Sequence, residues 1–438
     1  MSYPSLDRFV EAIDAKTCDY WIGYRRIGGM ARPLGVYAHV PGRGIVHSAD
    51  GKSPPASRLP VGLGEYLAQL DREMALLALH LGPDRVIGRL IVGGRRATLL
   101  SERECSLLMR HIRAHFDFAH DIEQVIEIDP RHIGSGRFAM FAGLGFNRMS
   151  LRLSAGAGDA GGDGVDGRGF VSTSAAIASA RACGFGPVSV ELVYGAPQQT
   201  GSGFEQTLAE ILISEVERIA LHSQRDLPLV GSRARIDADD LPTREAEQEL
   251  LLTAVARLEG AGYLCVGMDQ FARPNDELAI AHSQGRLSRD TNGYHAGPEC
   301  DLLGVGVATV GKIGPLYYQN MTEYDDYVRM LDHGRLPILR GVELTPDDLV
   351  RRAVIQALAC QFMVSKESIA IAHLIDFDRY FAVELRELER FAIDGIVTVG
   401  GDWIQVTPRG RLLVRAVCAV FDRYLRQATE RSSFESPP

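Results

Sequence analysis

Leu34-Gly35-Val36-Tyr37-Ala38-His39-Val40-Pro41 is an apolar run closed by a proline, and it opens the alternation that decides the fold. Apolar runs of strand length recur at 85–94, 124–129, 148–154, 188–195 and 218–223. Between them lie segments with apolar residues at helical spacing, at 66–81, 102–116, 173–183 and 204–214. Ser101 and Glu104 stand at capping-box spacing and mark the start of the second of these helices. Six β–α repeats in succession imply a parallel sheet, because each strand needs a crossover helix to return in the same direction. Val188, Val190, Leu192 and Val193 make the fifth strand apolar on both faces, as a sheet covered on both sides requires. The expectation is an α/β fold closing as a full or partial barrel, with its chemistry at the carboxyl ends of the strands.

The chain has 438 residues, which allows two or three domains or one barrel-sized domain with an appendage. Its 47 Lys+Arg against 56 Asp+Glu give a formal charge of -9, which speaks against binding a phosphate backbone. No apolar run approaches the roughly 18 residues of a membrane span, and the first residues lack a charged-then-apolar leader. Seven cysteines (Cys18, Cys105, Cys183, Cys265, Cys300, Cys360 and Cys418) are scattered without any CxxC pair, which fits unpaired thiols in the cytoplasm rather than a disulfide framework.

Two segments depart from the β–α rhythm. Residues 155–169 (AGAGDAGGDGVDGRG) carry seven glycines in fifteen positions and read as a loop, because ordering them costs too much backbone entropy. No Lys-Ser or Lys-Thr follows to make that loop a phosphate cradle. Beyond about residue 335, helices at 346–362 and 377–392, a hairpin at 396–407 around Gly400-Gly401, and a helix at 411–425 form a small appendage resembling a winged helix. The acidic chain makes a packed cap a better reading of it than a DNA-binding module. The domains expected are a short N-terminal segment 1–33, a barrel 34–335 and a mostly helical cap 336–438.

Several of these stretches carry a family resemblance. Residues 34–41 resemble the YVHIPF strand of the oxygen-independent coproporphyrinogen III oxidases (dehydrogenases), the radical-SAM enzymes of heme biosynthesis. Glu127-Ile128-Asp129-Pro130-Arg131 is similar to that family's EVDPR, and Gly145-Phe146-Asn147-Arg148-Met149-Ser150 to its GFNRLS. Further on, 190–200 resembles DLIYGLPxQT and 267–279 resembles GMDHFARPDDELA; the cap motif Thr407-Pro408-Arg409-Gly410-Arg411-Leu412-Leu413 matches as well. The resemblance implies a radical-SAM-type partial (β/α)6 barrel, with [4Fe–4S] and S-adenosylmethionine as the family's cofactors. It also implies a remnant cosubstrate pocket at Tyr37, Gly93, Gly94, Glu127, Arg168 and Glu191.

The departures are as specific as the matches. The family's CxxxCxxC ligand positions are Arg43, His47 and Asp50 here, and arginine cannot ligate iron. The GGGTP turn becomes Gly93-Gly94-Arg95-Arg96-Ala97, while Arg152 and Ser154 stand where the family has a glycine and a glutamine. The expectation is therefore a homologue that has lost the radical reaction and the bound cofactors.

Arg95, Arg96 and Arg152 are candidates to grip the propionates of a tetrapyrrole, heme or porphyrin, because guanidinium forks suit carboxylates. The alternative is that these arginines pair with Glu127, Asp129 and Glu191. His47 is the one weak candidate for a metal or heme-iron ligand. Three functions stay open at this point: a tetrapyrrole-binding or regulatory protein, or the partner of an active paralogue; a working coproporphyrinogen III dehydrogenase; or an enzyme with new, cluster-independent chemistry.

Overall fold

The computed structural model describes residues 3–27, 32–41, 62–94, 97–130, 133–134, 136–154, 172–225 and 241–426. The chain divides into two compact units. The larger comprises Val10–Tyr263 and Cys300–Gly341; the smaller comprises Met1–Phe9, Leu264–Glu299 and Val342–Pro438. Residues 264–299 thus group with the C-terminal segment, whereas the sequence reading placed them in a barrel running to 335.

In the larger unit six strands run in chain order: β1 (Leu34–His39), β2 (Val86–Gly93), β3 (Asp117–Ile128), β4 (Arg148–Ser154), β5 (Val188–Tyr194) and β6 (Arg218–Ser223). Each pairs with the next in parallel. The returns are made by helices Leu63–Leu81, Glu102–His115, Arg137–Gly143, Thr173–Ala182 and Gly201–Ile213. Beyond β1 the sheet does not meet β6. It continues into a further parallel strand, Asp301–Val305, and then into the antiparallel strands Val310–Ile313 and Leu316–Asn320. The result is the partial barrel expected, opened between β1 and β6 and extended on the β1 side. Every residue of Asp301–Val305 is buried, the aspartate included, so this motif is a core strand.

Local chemistry accounts for the element starts. The Ser101 hydroxyl accepts from the Glu104 amide at 3.3 Å, while a Glu104 carboxylate oxygen accepts from the Ser101 amide at 2.8 Å. This reciprocal cap satisfies two N–H groups that have no partner inside the helix. Ser172, Thr200 and Thr243 cap the helices after β4, β5 and β6 in the simpler one-way form.

The larger unit buries the carboxylates of Glu73 and Asp301. Glu73, 1% exposed on helix Leu63–Leu81, accepts from the Gly306 amide (2.7 Å), Asn320 Nδ2 (2.6 Å) and the Tyr327 hydroxyl (2.6 Å). It joins that helix to the end of Asp301–Val305, to Leu316–Asn320 and to helix Tyr324–Asp332. Nearby, Tyr66 donates to the His39 carbonyl at 2.9 Å and accepts from the Val307 amide at 3.2 Å.

The smaller unit begins its C-terminal part with helix Pro346–Gln361, started by a Thr345/Asp348 capping box. A three-stranded antiparallel sheet follows, with Trp403–Val406 between Met363–Ser365 and Val397–Val399. The hairpin expected around Gly400 is therefore present and gains a third strand. The single helix expected at 377–392 is divided into Phe377–Tyr380 and Ala382–Ile393. The break falls at the fully buried Phe381, whose ring packs within 5.3 Å of Phe377, Tyr380 and Phe421. The helix expected at 411–425 is likewise replaced by a 3-10 segment, Pro408–Leu413, and a short α-helix, Val414–Val420. Thr407 caps the Gly410 amide at 3.1 Å and winds the chain tightly before the α-helix can begin.

Candidate functional site

At the carboxyl end of the partial barrel, strand register sets side chains from five strands around one mouth. Glu127 of β3 lies opposite Ser150 of β4, Arg152 of β4 lies opposite Glu191 of β5, and His39 of β1 lies opposite Gly93 of β2. Residues two apart on a strand share a face, so Tyr37 with His39, and Ser150 with Arg152, project to the same side.

Gly93 and Gly94 shape the β1–β3 side. A Cβ at Gly93 would stand 2.6 Å from the Glu127 Cδ and 2.8 Å from the Tyr37 hydroxyl. At Gly94 the backbone is left-handed (φ 99°), and a Cβ would lie 2.5 Å from the Val40 carbonyl oxygen. The Gly94 amide donates to Glu127 Oε2 at 3.2 Å. The Tyr37 hydroxyl lies 3.4 Å from His39 Nδ1, with the two rings stacked at 6.0 Å.

On the β4–β5 side, Glu191 is held by two donors. Arg152 Nε donates to Oε2 at 2.8 Å and the Ser150 hydroxyl donates to Oε1 at 3.1 Å. Beyond β6, Arg225 Nε donates at 2.7 Å to Glu247, which lies in the first turn of helix Arg244–Gly260. Two of the mouth's carboxylates are therefore engaged by guanidinium groups.

The two glutamates titrate in opposite directions. Burial, and next the charge of Glu191, push the Glu127 carboxyl above the ordinary range despite Arg152 and the Gly94 amide. Burial also acts to raise Glu191, but Arg152, His222 and the donors on its oxygens outweigh it and hold Glu191 low. Burial, with Arg152 as a second cause, brings His39 down to about 4, so this imidazole is neutral at physiological pH. The Tyr37 hydroxyl is pushed well up by burial and then by Glu127, and it stays protonated. The mouth thus presents a neutral imidazole, a phenol, a carboxyl whose pKa burial raises and a carboxylate clamped by arginine. Such a set donates and accepts hydrogen bonds.

Of the site residues expected from the sequence, Tyr37, Gly93, Gly94, Glu127, Glu191 and Arg152 converge here. Arg152 spends its Nε on Glu191, the pairing that the sequence offered as the alternative to propionate binding. Arg43, His47, Asp50, Arg95, Arg96 and Arg168 lie outside the described residues. Sequence reading missed Ser150, His222 and the structural part played by His39. The signal for Ser150 and His39 was strand alternation, which places each beside a residue already singled out.

Comparison with known proteins places the chain. It is 36% identical to the oxygen-independent coproporphyrinogen III oxidase of Pseudomonas aeruginosa, over 97% of this chain and 92% of that protein. The Escherichia coli protein of the same name is 34% identical over 92% of this chain and 88% of its own length. The chain belongs to the oxygen-independent coproporphyrinogen III oxidase family. A solved structure of the Escherichia coli coproporphyrinogen III oxidase, described as a radical SAM enzyme, superposes with a TM-score of 0.82 at 32% identity, covering 97% of both chains. No family model matches the chain.

The family's radical-SAM chemistry uses a [4Fe–4S] cluster, and a three-thiolate loop is the donor set such a cluster requires. All seven cysteines lie among the described residues and none belongs to the segment after β1. Six are buried, and burial lifts the Cys105, Cys360 and Cys418 thiols to about 12, away from the thiolate form that binds iron. The donor set of this chain does not fit the family's cluster. The cosubstrate side fits better, because the Gly93–Gly94 turn and Glu127 form a close-approach surface at the strand ends.

Proposed function

We propose that this chain is a coproporphyrinogen III oxidase homologue that no longer performs the radical reaction and serves the porphyrin pathway by binding a tetrapyrrole. The observation that carries the reading is the ligand loop: Arg43, His47 and Asp50 occupy the three cysteine positions, and no other segment brings two cysteines within 30 residues of each other. The Arg152–Glu191 pair supports it, since one guanidinium now sits across the strand ends where the family has a glycine. That none of the seven cysteines forms a disulfide supports a reducing, cytoplasmic setting. An active paralogue is the partner that such a protein would serve.

A second reading, a working coproporphyrinogen III dehydrogenase, is favoured by the retained Gly93–Gly94–Glu127 geometry and by the identity to the named oxidases over nearly the whole chain. Anaerobic reconstitution with iron and sulfide separates the two. The proposal expects a colourless protein with no stoichiometric iron, and incorporation of about four irons per chain would overturn it. Absorbance titration with coproporphyrin III and with heme tests the ligand: a saturable shift of the porphyrin band is expected, and its absence for both removes the binding role.

A further inference from the structure

One continuous stretch of chain, residues 290–300, brings three metal-ligating side chains together. Asp290 ends strand Ser288–Asp290, His295 ends strand Gly293–His295, and Cys300 stands just before strand Asp301–Val305. The hairpin pairs Asp290 with Gly293 and Ser288 with His295, so Asp290 and His295 are diagonal neighbours on one face. The Asn292 amide, in the turn of the hairpin, donates to Asp290 Oδ1 at 2.7 Å and fixes the carboxylate. The other oxygen, Oδ2, faces His295 Nε2 at 3.7 Å. The ligand atoms of Asp290, His295 and Cys300 all lie within 4.8 Å of one another, and each residue is more than nine-tenths buried.

We propose that Asp290, His295 and Cys300 bind one divalent transition-metal ion, with zinc the best match. Zinc takes carboxylate oxygen, imidazole nitrogen and thiolate sulfur alike. Magnesium and calcium prefer an all-oxygen set, and copper(I) an all-soft one. At 3.7 Å the carboxylate and the ring are too far apart for a hydrogen bond. An ion roughly 2.1 Å from each spans that gap at an angle of about 120°, close to tetrahedral. With the thiolate bonded at roughly 2.3 Å, sulfur stands roughly 3.6 Å from its neighbours, so closure draws Cys300 Sγ inward by no more than about 1.2 Å.

The charge balance suits burial. One carboxylate and one thiolate neutralise a divalent ion and the imidazole adds a neutral donor, so the loaded site has no net charge. The thiol gives up its proton to solvent on binding. The hairpin is held on both strands by helix Pro346–Gln361: Gln356 donates to the Arg289 carbonyl at 2.7 Å, and the Tyr294 hydroxyl donates to the Ala359 carbonyl at 3.0 Å. Three protein ligands leave a fourth position for water or an exogenous donor. A single thiolate cannot hold a [4Fe–4S] cluster, so the site is mononuclear and does not restore the family's chemistry. It uses no residue of the barrel mouth and does not rest on the tetrapyrrole reading.

The test uses the full-length chain, treated with a chelator under reducing conditions and titrated with zinc by calorimetry and with cobalt by absorbance. The expected result is one saturable ion per chain, and for cobalt a near-ultraviolet thiolate-to-metal band. Loss of a mere outer-shell partner costs about 10–100-fold in affinity, so Cys300→Ser and His295→Ala should each weaken zinc binding by at least ~10-fold. Cys300→Ser keeps the size of the side chain and should also abolish the thiolate band. Zinc should raise the melting temperature of the native chain and leave that of Cys300→Ser unchanged. Absence of saturable binding by the native chain overturns the proposal, as does a native cobalt complex without the thiolate band, a readout that holds even where a variant fails to fold. Undiminished affinity or an undiminished band in a Cys300→Ser chain that melts normally overturns it as well.

Discussion

Glu73 shows how much one residue can govern. Three donors within 2.7 Å suit a carboxylate, yet burial outweighs them and raises its carboxyl to about 7. The folded value lies above the ordinary 4.5, so the folded state binds the proton more tightly than the unfolded chain does. This group's contribution is therefore fully present below about pH 4.5 and is lost as pH rises through about 7. The shift sets an upper bound of about 3 kcal/mol on that loss. Urea unfolding should show native stability declining between pH 5 and pH 8, and Glu73→Gln should flatten that decline. An identical slope in the variant would place the titration elsewhere. At the same scale, Gly93, Gly94, Glu127, Arg152 and Glu191 were legible as site residues because each falls on a recognisable motif position. What could not be read was the sense of their titration, which depends on neighbouring strands bringing Arg152 to Glu191 rather than to Glu127.

At the scale of elements, the six strand cores were legible because apolar runs bounded by turn residues have no other stable use. The beginning of β3 was not: residues 117–123 mix Phe118 and Ile122 with Asp117, His120, Asp121 and Glu123, and only pairing with the start of β2 identifies them as strand. Helix Ala15–Ile27 was missed because its aromatic residues do not form a buried stripe; Tyr20 and Tyr24 are 61% and 47% exposed and stack on each other at 6.0 Å. Helix Arg137–Gly143 is only seven residues long, too short to display a period. The helix with the plainest start signal, Glu102–His115, supplies a prediction. Ser101→Ala removes the acceptor for the Glu104 amide and should cost about 1 kcal/mol, read as a lower urea midpoint with an unchanged slope. No loss of stability would mean that packing alone fixes the start of this helix.

For the whole molecule, the decisive fact is that the smaller unit draws on three separated segments. The His282 ring bonds the Cys360 carbonyl at 2.8 Å, Tyr294 donates to the Ala359 carbonyl at 3.0 Å, and Gln356 donates to the Arg289 carbonyl at 2.7 Å. A fragment cut at the boundary the sequence suggested, 336–438, would keep the three-stranded sheet and lose every one of these partners. It should show no cooperative thermal transition by circular dichroism, whereas a sharp melt would prove the C-terminal segment self-sufficient.

The Tyr3 hydroxyl donates to Asp348 Oδ1 at 2.9 Å across 345 positions of sequence. On a nascent chain this tyrosine emerges 345 residues before the aspartate it bonds. The six parallel strands can assemble on the nascent chain as they emerge, but the other unit stays unfinished until helix Pro346–Gln361 has been translated.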